Sequence, residues 1–362
     1  MARQRTRPAL VLGLAAAAAA VQLLQPSTAL AVNSYAVTNL TADQPGQAAH
    51  TDAHLINPWG LSRSGTGPWW VSDQGTGVST LYNGSGVPQS LVVTIPIGAA
   101  TPGGSLGTPT GNVFNSTTGF VVSKGGLSGP SAFIFATEDG TISGWNQTVD
   151  ATHAILAVDK SAAGADYKGL ALGTSSIGPT LYAANFHAAK IDVFNSSFAP
   201  ATLSGSFTDP NLPTGYAPFN VAAGHGVVAV AYALQDATKH NPVFGAGLGF
   251  VDIYTPDGRL NRRFISNGAL NAPWGLVLAP STFGMFAGDV LVGNFGDGRI
   301  LAYTTGGLFQ GALMQAGQPI VIPGIWGLAF GNGGQAGSTG TLFFTAGTGF
   351  GQHGLFGAVN PA

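Results

Sequence analysis

Short apolar runs recur along the chain, and Gly, Asn or Asp residues bound each of them. Three examples are Trp69-Trp70-Val71, Phe133-Ile134-Phe135 and Leu342-Phe343-Phe344. Runs of this length between turn residues are typical of buried β-strands, because a strand needs only a few residues and a helix needs more. After residue 31, no stretch of the sequence combines sustained helical periodicity with capping residues. The pattern therefore predicts an all-β chain of many short strands.

A Trp-Gly-Leu motif occurs at Trp59-Gly60-Leu61, Trp274-Gly275-Leu276 and Trp326-Gly327-Leu328. Each copy is followed by a Gly-rich turn, an apolar run, another Gly turn and a further strand. Alignment on the motif's glycine gives six positions at intervals of 51 to 58 residues: Gly60, Gly111, Gly169, Asn220 (in the glycine's place), Gly275 and Gly327. This period is slightly long for a four-stranded propeller blade and too long for a two-helix repeat. The sequence predicts a six-bladed β-propeller of four-stranded blades, formed by residues 32–362 as one domain.

The sixth unit lacks a fourth strand, because the sequence ends just after its third strand, at Asn360. Tyr35–Leu40 has strand character and lies before the first unit. We expect this N-terminal strand to complete the last blade, which would close the ring and remove an exposed sheet edge.

The first 31 residues have the features of a secretory signal peptide. Arginines at residues 3–7 form a basic segment, Ala9–Leu24 is apolar, and Ala29-Leu30-Ala31 is a small-x-small cleavage pattern. The apolar stretch of about 16 residues is shorter than the roughly 20 that span a bilayer. We expect residues 1–31 to be removed, leaving a secreted or extracytoplasmic protein that begins at Val32 and has no transmembrane segment.

Charge and cysteine content narrow the class of function. Only 8% of the residues are Asp, Glu, Lys or Arg, the formal net charge is −2, and there is no cysteine. An exported chain without disulfides must obtain its stability from burial and topology, which a closed ring provides. Because the sequence has no basic patch, nucleic acid is not an expected partner.

The Pro-Trp-Gly-Leu openings, with Trp70-Val71-Ser72-Asp73 and Val292-Gly293-Asn294-Phe295, resemble the NHL-repeat class of six-bladed propellers. More narrowly, the chain resembles a family of secreted, largely uncharacterised NHL-like proteins over nearly all of the expected mature chain. Six-bladed relatives include the strictosidine-synthase and gluconolactonase group, many of which hold a divalent metal in the central channel. The resemblance therefore implies that this protein, too, could hold a divalent cation such as calcium in its central channel.

In a propeller, the segment that leads into the innermost strand and the loop between strands two and three lie on one face around the channel, where ligands normally bind. Polar residues at the ends of the second strands fall on this channel face: Asp73, Glu138, Asn185 and Asn294. Carboxylate and amide oxygens suit a hard cation such as calcium, so these four residues are the expected metal ligands. The alternative is that Asp and Asn at strand ends cap turns.

Histidines and tryptophans supply further candidates for ligand binding on the channel face. In an extended conformation His50, Asp52 and His54 would share one side, and an imidazole could bind a transition metal or act as a base. The tryptophans could form an aromatic collar, or they could pack one blade on the next. The full candidate set is His50, Asp52, His54, Trp59, His187, His240, Trp274, Trp326 and His353.

The sequence contains no catalytic cysteine and no phosphate-binding loop. The preferred interpretation is a secreted binding module that offers its channel face to a small molecule, a polysaccharide or a protein. The alternative is a metal-dependent hydrolase of the lactonase kind, in which the four predicted ligands hold the cation and a nearby histidine acts as the base. A redox propeller with histidine ligands is a third, weaker hypothesis.

Overall fold

The computed structural model describes residues 1–2, 32–101, 103–104 and 106–362 of the 362-residue chain. Apart from residues 1 and 2, the expected signal peptide 1–31 lies outside the described residues. Residues Val32–Ala362 form one compact unit. In the described part of the chain, no helix has the length and apolar character to cross a membrane.

Six antiparallel sheets form the blades of a propeller, with strands A to D numbered outward from the channel. Blade 1 comprises Pro58–Arg63, Trp69–Asp73, Val78–Tyr82 and Pro88–Thr94; blade 2 comprises Pro109–Phe114, Phe133–Thr137, Thr141–Trp145 and Ile155–Asp159. Blade 3 comprises Tyr167–Ser175, Gly178–Asn185 and Lys190–Asn195; blade 4 comprises Tyr216–Gly224, Val227–Gln235, Phe250–Tyr254 and Leu260–Ser266. Blade 5 comprises Pro273–Leu278, Val290–Asn294, Ile300–Tyr303 and Phe309–Ala312; blade 6 comprises Ile325–Phe330, Leu342–Ala346, Leu355–Pro361 and Tyr35–Ala42. The predicted six-bladed β-propeller is confirmed.

Shorter elements decorate the ring without changing its topology. The remaining strands are His50–Thr51, Val121–Lys124, Leu127–Pro130, Pro242–Val243, Met314–Gln315 and Gln318–Pro319. The helical turns are Ser161–Ala163, Gly284–Phe286 and Thr348–Gly351. The hairpin made by Val121–Lys124 and Leu127–Pro130 lies between strands A and B of blade 2, which accounts for the long second repeat.

The N-terminal strand closes the ring as predicted. Tyr35–Ala42 is antiparallel to Leu355–Pro361, and Tyr35 pairs with Pro361 at one end of the register. Tyr35 is buried, its ring stacks on Phe286 with centroids 6.0 Å apart, and its hydroxyl donates a hydrogen bond to the carbonyl of Phe283. The closing strand is therefore held by side-chain packing against blade 5 as well as by the ladder.

Blade 3 differs from the expected four-stranded pattern, because the described residues supply it with only three strands. After strand C the chain turns and makes a single bridge between Phe194 and Pro200. The sequence that follows, residues 199–215, is rich in Pro, Ser, Thr and Gly. Proline cannot donate to a ladder and glycine weakens a strand, so this segment does not form strand D.

The repeated glycines mark where neighbouring A strands approach each other around the channel. A Cβ atom on Gly60 would lie 2.4 Å from the carbonyl oxygen of Thr110, and one on Gly111 would lie 2.4 Å from the amide nitrogen of Leu170. Both contacts are with the backbone of the next blade and are too close for any side chain. The repeat therefore selects glycine for close packing of adjacent A strands.

Residues that precede the repeated glycine form a layer across the channel. Four are aromatic and two are not: Trp59, Thr110, Lys168, Phe219, Trp274 and Trp326. The four aromatic residues belong to one buried cluster. A cavity of about 360 Å³, lined by the A strands of all six blades, lies on one side of this layer. The aromatic layer thus separates the channel from the face where the site lies.

Candidate functional site

A pocket of about 720 Å³ opens on the channel face. Its lining comes from the residues just before strand A and from the loops between strands B and C, which confirms that these segments share one face. Phe244 and Phe350 lie on the rim with largely exposed side chains. Phe350 has a φ of 59°, a region that is unfavourable for a bulky residue. Exposed apolar rings and backbone strain at the edge of a pocket are typical of positions that contact a ligand.

The pocket floor is aromatic and tightly packed. The rings of Trp59 and Trp326 stack with centroids 3.5 Å apart, and Phe295 stacks on the other side of Trp326 at 3.7 Å. Trp274 meets both tryptophans edge-on. Each of the three tryptophans is at most 5% exposed, and Trp274 lines the channel cavity rather than this pocket. Their main role is therefore packing, with only the edges of Trp59 and Trp326 available to a ligand.

A buried ionic cluster forms one wall of the pocket. The Lys168 ammonium pairs with a Glu138 oxygen and lies 3.0 Å from Asp166 Oδ2. His240 Nδ1 is 2.7 Å from the same Asp166 oxygen, so a hydrogen bond joins the imidazole and the carboxyl group. Gln74 Nε2 donates a 2.6 Å hydrogen bond to the second oxygen of Glu138. The cluster joins loops and A-strand residues of blades 1 to 4.

The pKa directions follow from burial and from these pairings. Burial alone would raise the pKa of Glu138, but the Lys168 ammonium outweighs it and lowers that pKa. Burial would lower the pKa of Lys168, but the two carboxylates raise it. Burial raises the pKa of Asp166 despite its hydrogen bond, and that hydrogen bond raises the pKa of His240. Lys168 is therefore held as a cation, and the raised pKa values of Asp166 and His240 favour a proton on this hydrogen-bonded pair, which reduces the negative charge that remains.

Oxygen and nitrogen atoms of Glu138, Asp166 and His240 lie within 4.8 Å of one another, which is compatible with a metal site. However, the Lys168 ammonium already contacts both carboxylates, so the position that a cation would take carries a positive charge. A divalent ion could enter only by displacing a side chain that is 1% exposed. These residues therefore do not fit a resident divalent cation.

In three of the four predicted calcium ligands, a side-chain oxygen accepts hydrogen bonds from residues of the same blade or of the segment that leads into it. Asp73 Oδ2 accepts a hydrogen bond from Thr80, while the oxygen of Asn185 accepts from the amides of Asp166 and Ala188. The oxygen of Asn294 accepts from the amide of Asn271. Of the predicted set, only Glu138 lines the pocket. The four-residue cation site stays a prediction, and these contacts favour the alternative that Asp and Asn hold turns.

Asp73 itself is fully buried, and its second oxygen has no hydrogen-bond partner. Burial raises the pKa of Asp73 well above its usual range, and the nearby Asp52 adds to the effect. A raised pKa disfavours the ionised carboxylate, which is the form that binds calcium.

The predicted histidines separate into different surroundings. His240 lines the pocket, whereas the ring nitrogen of His54 pairs with Asp52 and that of His353 pairs with Asp43. His50 lies in the short strand His50–Thr51, and residues 52–55 then turn. The chain is therefore not extended from His50 to His54, because the Asp52 carboxylate accepts a hydrogen bond from the His54 amide. His187 is exposed on the turn after strand B of blade 3.

Sequence reasoning did not identify Asp166 and Lys168 as site residues. Lys168 does not lie in a phosphate-binding loop or any other motif with a recognised function. The signal that could have found it is positional, because Lys168 precedes Gly169 where three other units have tryptophan before the glycine. In a chain with 8% charged residues, a lysine at a channel position predicts buried partners of opposite charge.

The fold and the site together define a six-bladed β-propeller with an aromatic pocket on its channel face. The chain is 34% identical over 307 residues to the uncharacterized protein R648 of Acanthamoeba polyphaga mimivirus, covering 83% of this chain and 74% of the viral protein. It is also 34% identical to the uncharacterized protein L690 of that virus over 307 residues, covering 83% of this chain and 79% of L690. The chain belongs to the family that includes these two viral proteins.

Solved structures share the fold at low sequence identity. A streptogramin B lyase matches with a TM-score of 0.52 and 12% identity over 91% of this chain and 97% of the lyase. The virginiamycin B lyase of Staphylococcus aureus matches with a TM-score of 0.51 and 13% sequence identity, covering 90% of this chain and 99% of the lyase. A protein of unknown function from Bacteroides thetaiotaomicron matches with a TM-score of 0.52 and 13% sequence identity, covering 90% of this chain and 76% of that protein. No family model matches the sequence. At these identities the likeness establishes the fold alone.

Proposed function

We propose that the protein is a binding module whose ligand occupies the channel-face pocket. The observation that carries this proposal is the contrast between the rim and the polar wall. Phe244 and Phe350 present exposed rings, whereas Glu138, Asp166 and Lys168 are already paired with one another. Exposed aromatic rings at the rim can contact a ligand, whereas the charges of the polar wall already neutralise one another. This arrangement suits ligand binding better than a catalytic step that needs an unpaired charged side chain.

The pocket suits a neutral, ring-bearing ligand. Its volume of about 720 Å³ falls within the roughly 300–1,000 Å³ of small-molecule sites. Phe244 and Phe350 offer flat apolar faces, and His240 and Asn241 offer polar atoms beside them. The faces of a sugar ring pair with aromatic rings and its hydroxyls pair with polar groups, so we propose a neutral carbohydrate, free or as part of a polysaccharide.

An array of neutral oligosaccharides, followed by calorimetry on the compounds retained, tests the proposal. Phe350→Ala and Phe244→Ala should each weaken binding by about 2- to 10-fold, the range for losing an aromatic contact. Leu308→Ala is the matched control, because Leu308 is an exposed apolar residue outside the pocket lining. Retention of no neutral sugar, or equal affinity in all three variants, would overturn the proposal.

The alternative of a metal-dependent hydrolase is favoured by one observation, the proximity of ligand atoms from Glu138, Asp166 and His240. The Lys168 ammonium argues against a hydrolase, because it already contacts the carboxyl groups of Glu138 and Asp166. Elemental analysis after purification in calcium and zinc, with a panel of esters and lactones, distinguishes the two functions. Stoichiometric bound metal, together with hydrolysis that Asp166→Asn abolishes, would support the hydrolase. Absence of both bound metal and hydrolysis would support the binding module.

We further propose that the protein is a secreted member of an NHL-like propeller family, as the basic segment and apolar stretch before Val32 suggest. N-terminal sequencing of protein recovered from the growth medium should give a chain that begins at Val32. Recovery of the protein only inside the cells, with residues 1–31 intact, would contradict this.

A further inference from the structure

Strand C of blade 3, Lys190–Asn195, lies at an open edge of its sheet. It pairs with Gly178–Asn185 on one side, and on the other side only Phe194 forms a bridge, with Pro200. The other five blades have a fourth strand at this position. Residues 190–192 therefore form a stretch of about 10 Å with no paired neighbour among the described residues, at roughly 3.3 Å per residue.

Backbone groups that point outward from this edge can be assigned from two hydrogen bonds. The carbonyl of Val193 accepts from the Ala201 amide, and the amide of Asn195 donates to the Ala199 carbonyl. Because the N–H and C=O of a strand residue point to the same side and alternate along the strand, Ile191 and Val193 also face outward. The amide of Val193 and both backbone groups of Ile191 are thus available to a further strand.

A groove of about 770 Å³ runs beside this edge. Its opposite wall is the segment Thr202–Phe207, whose burial alternates with a period of two, as in an extended chain. This wall is fixed to blade 4, since the amides of Gly205 and Phe207 donate to the carbonyls of Asp257 and Gly258. The chain's own segment is therefore anchored to blade 4, and the groove lies between this segment and the edge of strand C.

Charge at one end of the groove indicates the polarity of an occupant. Lys160 and Lys190 both line the groove at the end where strand C begins. Lys190 pairs with Asp192, whereas no ion pair of Lys160 occurs within the described part of the chain. A strand antiparallel to strand C would end at these lysines, so carboxylates are expected at its C-terminal end.

We propose that blade 3 binds an extended peptide of a partner protein, which adds the fourth strand antiparallel to Lys190–Asn195. The peptide places alternate apolar side chains into the groove and acidic residues, or its terminal carboxylate, beside Lys160. Backbone hydrogen bonds to Ile191 and Val193 supply the affinity, and the groove supplies the specificity. This site is separate from the channel-face pocket.

A displayed library of random 12-residue peptides with free C-termini, selected against residues 32–362, tests the proposal. Val193→Pro removes the outward amide while leaving the ladder to strand B intact, and proline is tolerated at a sheet edge. Val193→Ala is the matched control, because it shortens the side chain and keeps the amide. We expect alternating apolar peptides with acidic C-terminal ends that bind Val193→Pro about tenfold more weakly than they bind Val193→Ala.

Two further measurements keep the test decisive if Val193→Pro folds poorly. N-methylation of the selected peptide at alternate residues should abolish binding in one register and spare it in the other. Phe350→Ala should leave peptide binding unchanged, which separates this site from the pocket.

Four results would overturn the proposal: no enrichment, equal affinity for Val193→Pro, slow hydrogen exchange of the Ile191 amide in the free monomer, or a dimer that Val193→Pro dissociates. The third result would show that the chain itself covers the edge, and the fourth that a second copy does.

Discussion

Replacement of Lys168 by methionine is the sharpest test of the ionic cluster. The substitution keeps an unbranched side chain that is one atom shorter and removes the only ammonium that contacts Glu138 and Asp166 in the described part of the chain. Removing one partner of a buried ion pair leaves an uncompensated charge, which costs about 3–5 kcal/mol. The matched control is Lys124→Met, because Lys124 pairs with Asp150 while 56% exposed. Exposed pairs contribute about 0–1 kcal/mol.

The pH dependence gives the test a second, independent readout. In the native protein the pKa of Glu138 is lowered, so its stabilising contribution is present above the unfolded pKa and is lost as the pH falls. Without Lys168, burial alone would raise the pKa of Glu138 and Asp166. The folded variant would then bind protons more readily than the unfolded chain, and it would regain stability as the pH falls. The difference between native and variant protein should therefore be large at pH 8 and smaller at pH 4.5.

Urea unfolding followed by tryptophan fluorescence at both pH values measures these differences. The double variant Lys168→Met/Glu138→Gln should recover part of the loss, because one of the two buried carboxylates is then neutral. A loss for Lys168→Met no larger than that for Lys124→Met, with no dependence on pH, would refute the reasoning.

Substitutions at three further positions test the packing of the blades, the closure of the ring and the titration of a buried carboxyl group. Gly111→Ala should lower the unfolding free energy by about 1–3 kcal/mol, because its Cβ would lie 2.4 Å from the backbone of the next blade. The control Gly224→Ala should change the unfolding free energy by less than about 0.5 kcal/mol, because the new Cβ enters open space. Tyr35→Ala should cost about 3–5 kcal/mol and Tyr35→Phe about 1–2 kcal/mol of unfolding free energy, measured in urea. The Tyr35 ring is buried, and its hydroxyl donates to the Phe283 carbonyl and accepts from the Phe286 amide; equal losses would contradict the packing role. Burial raises the pKa of Asp252 to about 6, so the folded state holds this proton more tightly and stability falls as the pH rises from about 4 to 6. Asp252→Asn should flatten that slope, and an unchanged slope would show that another group causes it.

The fold could be predicted because its determinants are local and repeated. The glycine before Leu61 and its counterparts are imposed by contact between A strands, so the same residue type recurs wherever that contact recurs. The closing strand followed from counting strands. The open edge of blade 3 could not be predicted with the same ease, because Lys190–Asn195 has the same apolar character as the other C strands and only the proline-rich sequence after it departs from the pattern.

The candidate site was predicted less well than the fold. Glu138 and His240 were selected, but their partners Asp166 and Lys168 were not, because 30 to 74 residues separate the members of these pairs and no motif links them. Asp73 and Asn294 were selected from strand-end positions, where turn capping and ligand binding demand the same residue types. Burial and hydrogen-bond partners distinguish these two roles, and neither can be read from one sequence.

The pairing of Tyr35–Ala42 with Leu355–Pro361 also sets the order in which the molecule can assemble. The partners are more than 300 residues apart, so this sheet cannot form until residues 355–361 have been synthesised. Pairing at such separation is slow, and bringing the ends together costs about 5 kcal/mol of loop-closure entropy. We expect blades 1 to 5 to form first and the sixth to latch last, so that a nascent chain stays open, and accessible to translocation machinery or chaperones, until its final strand emerges.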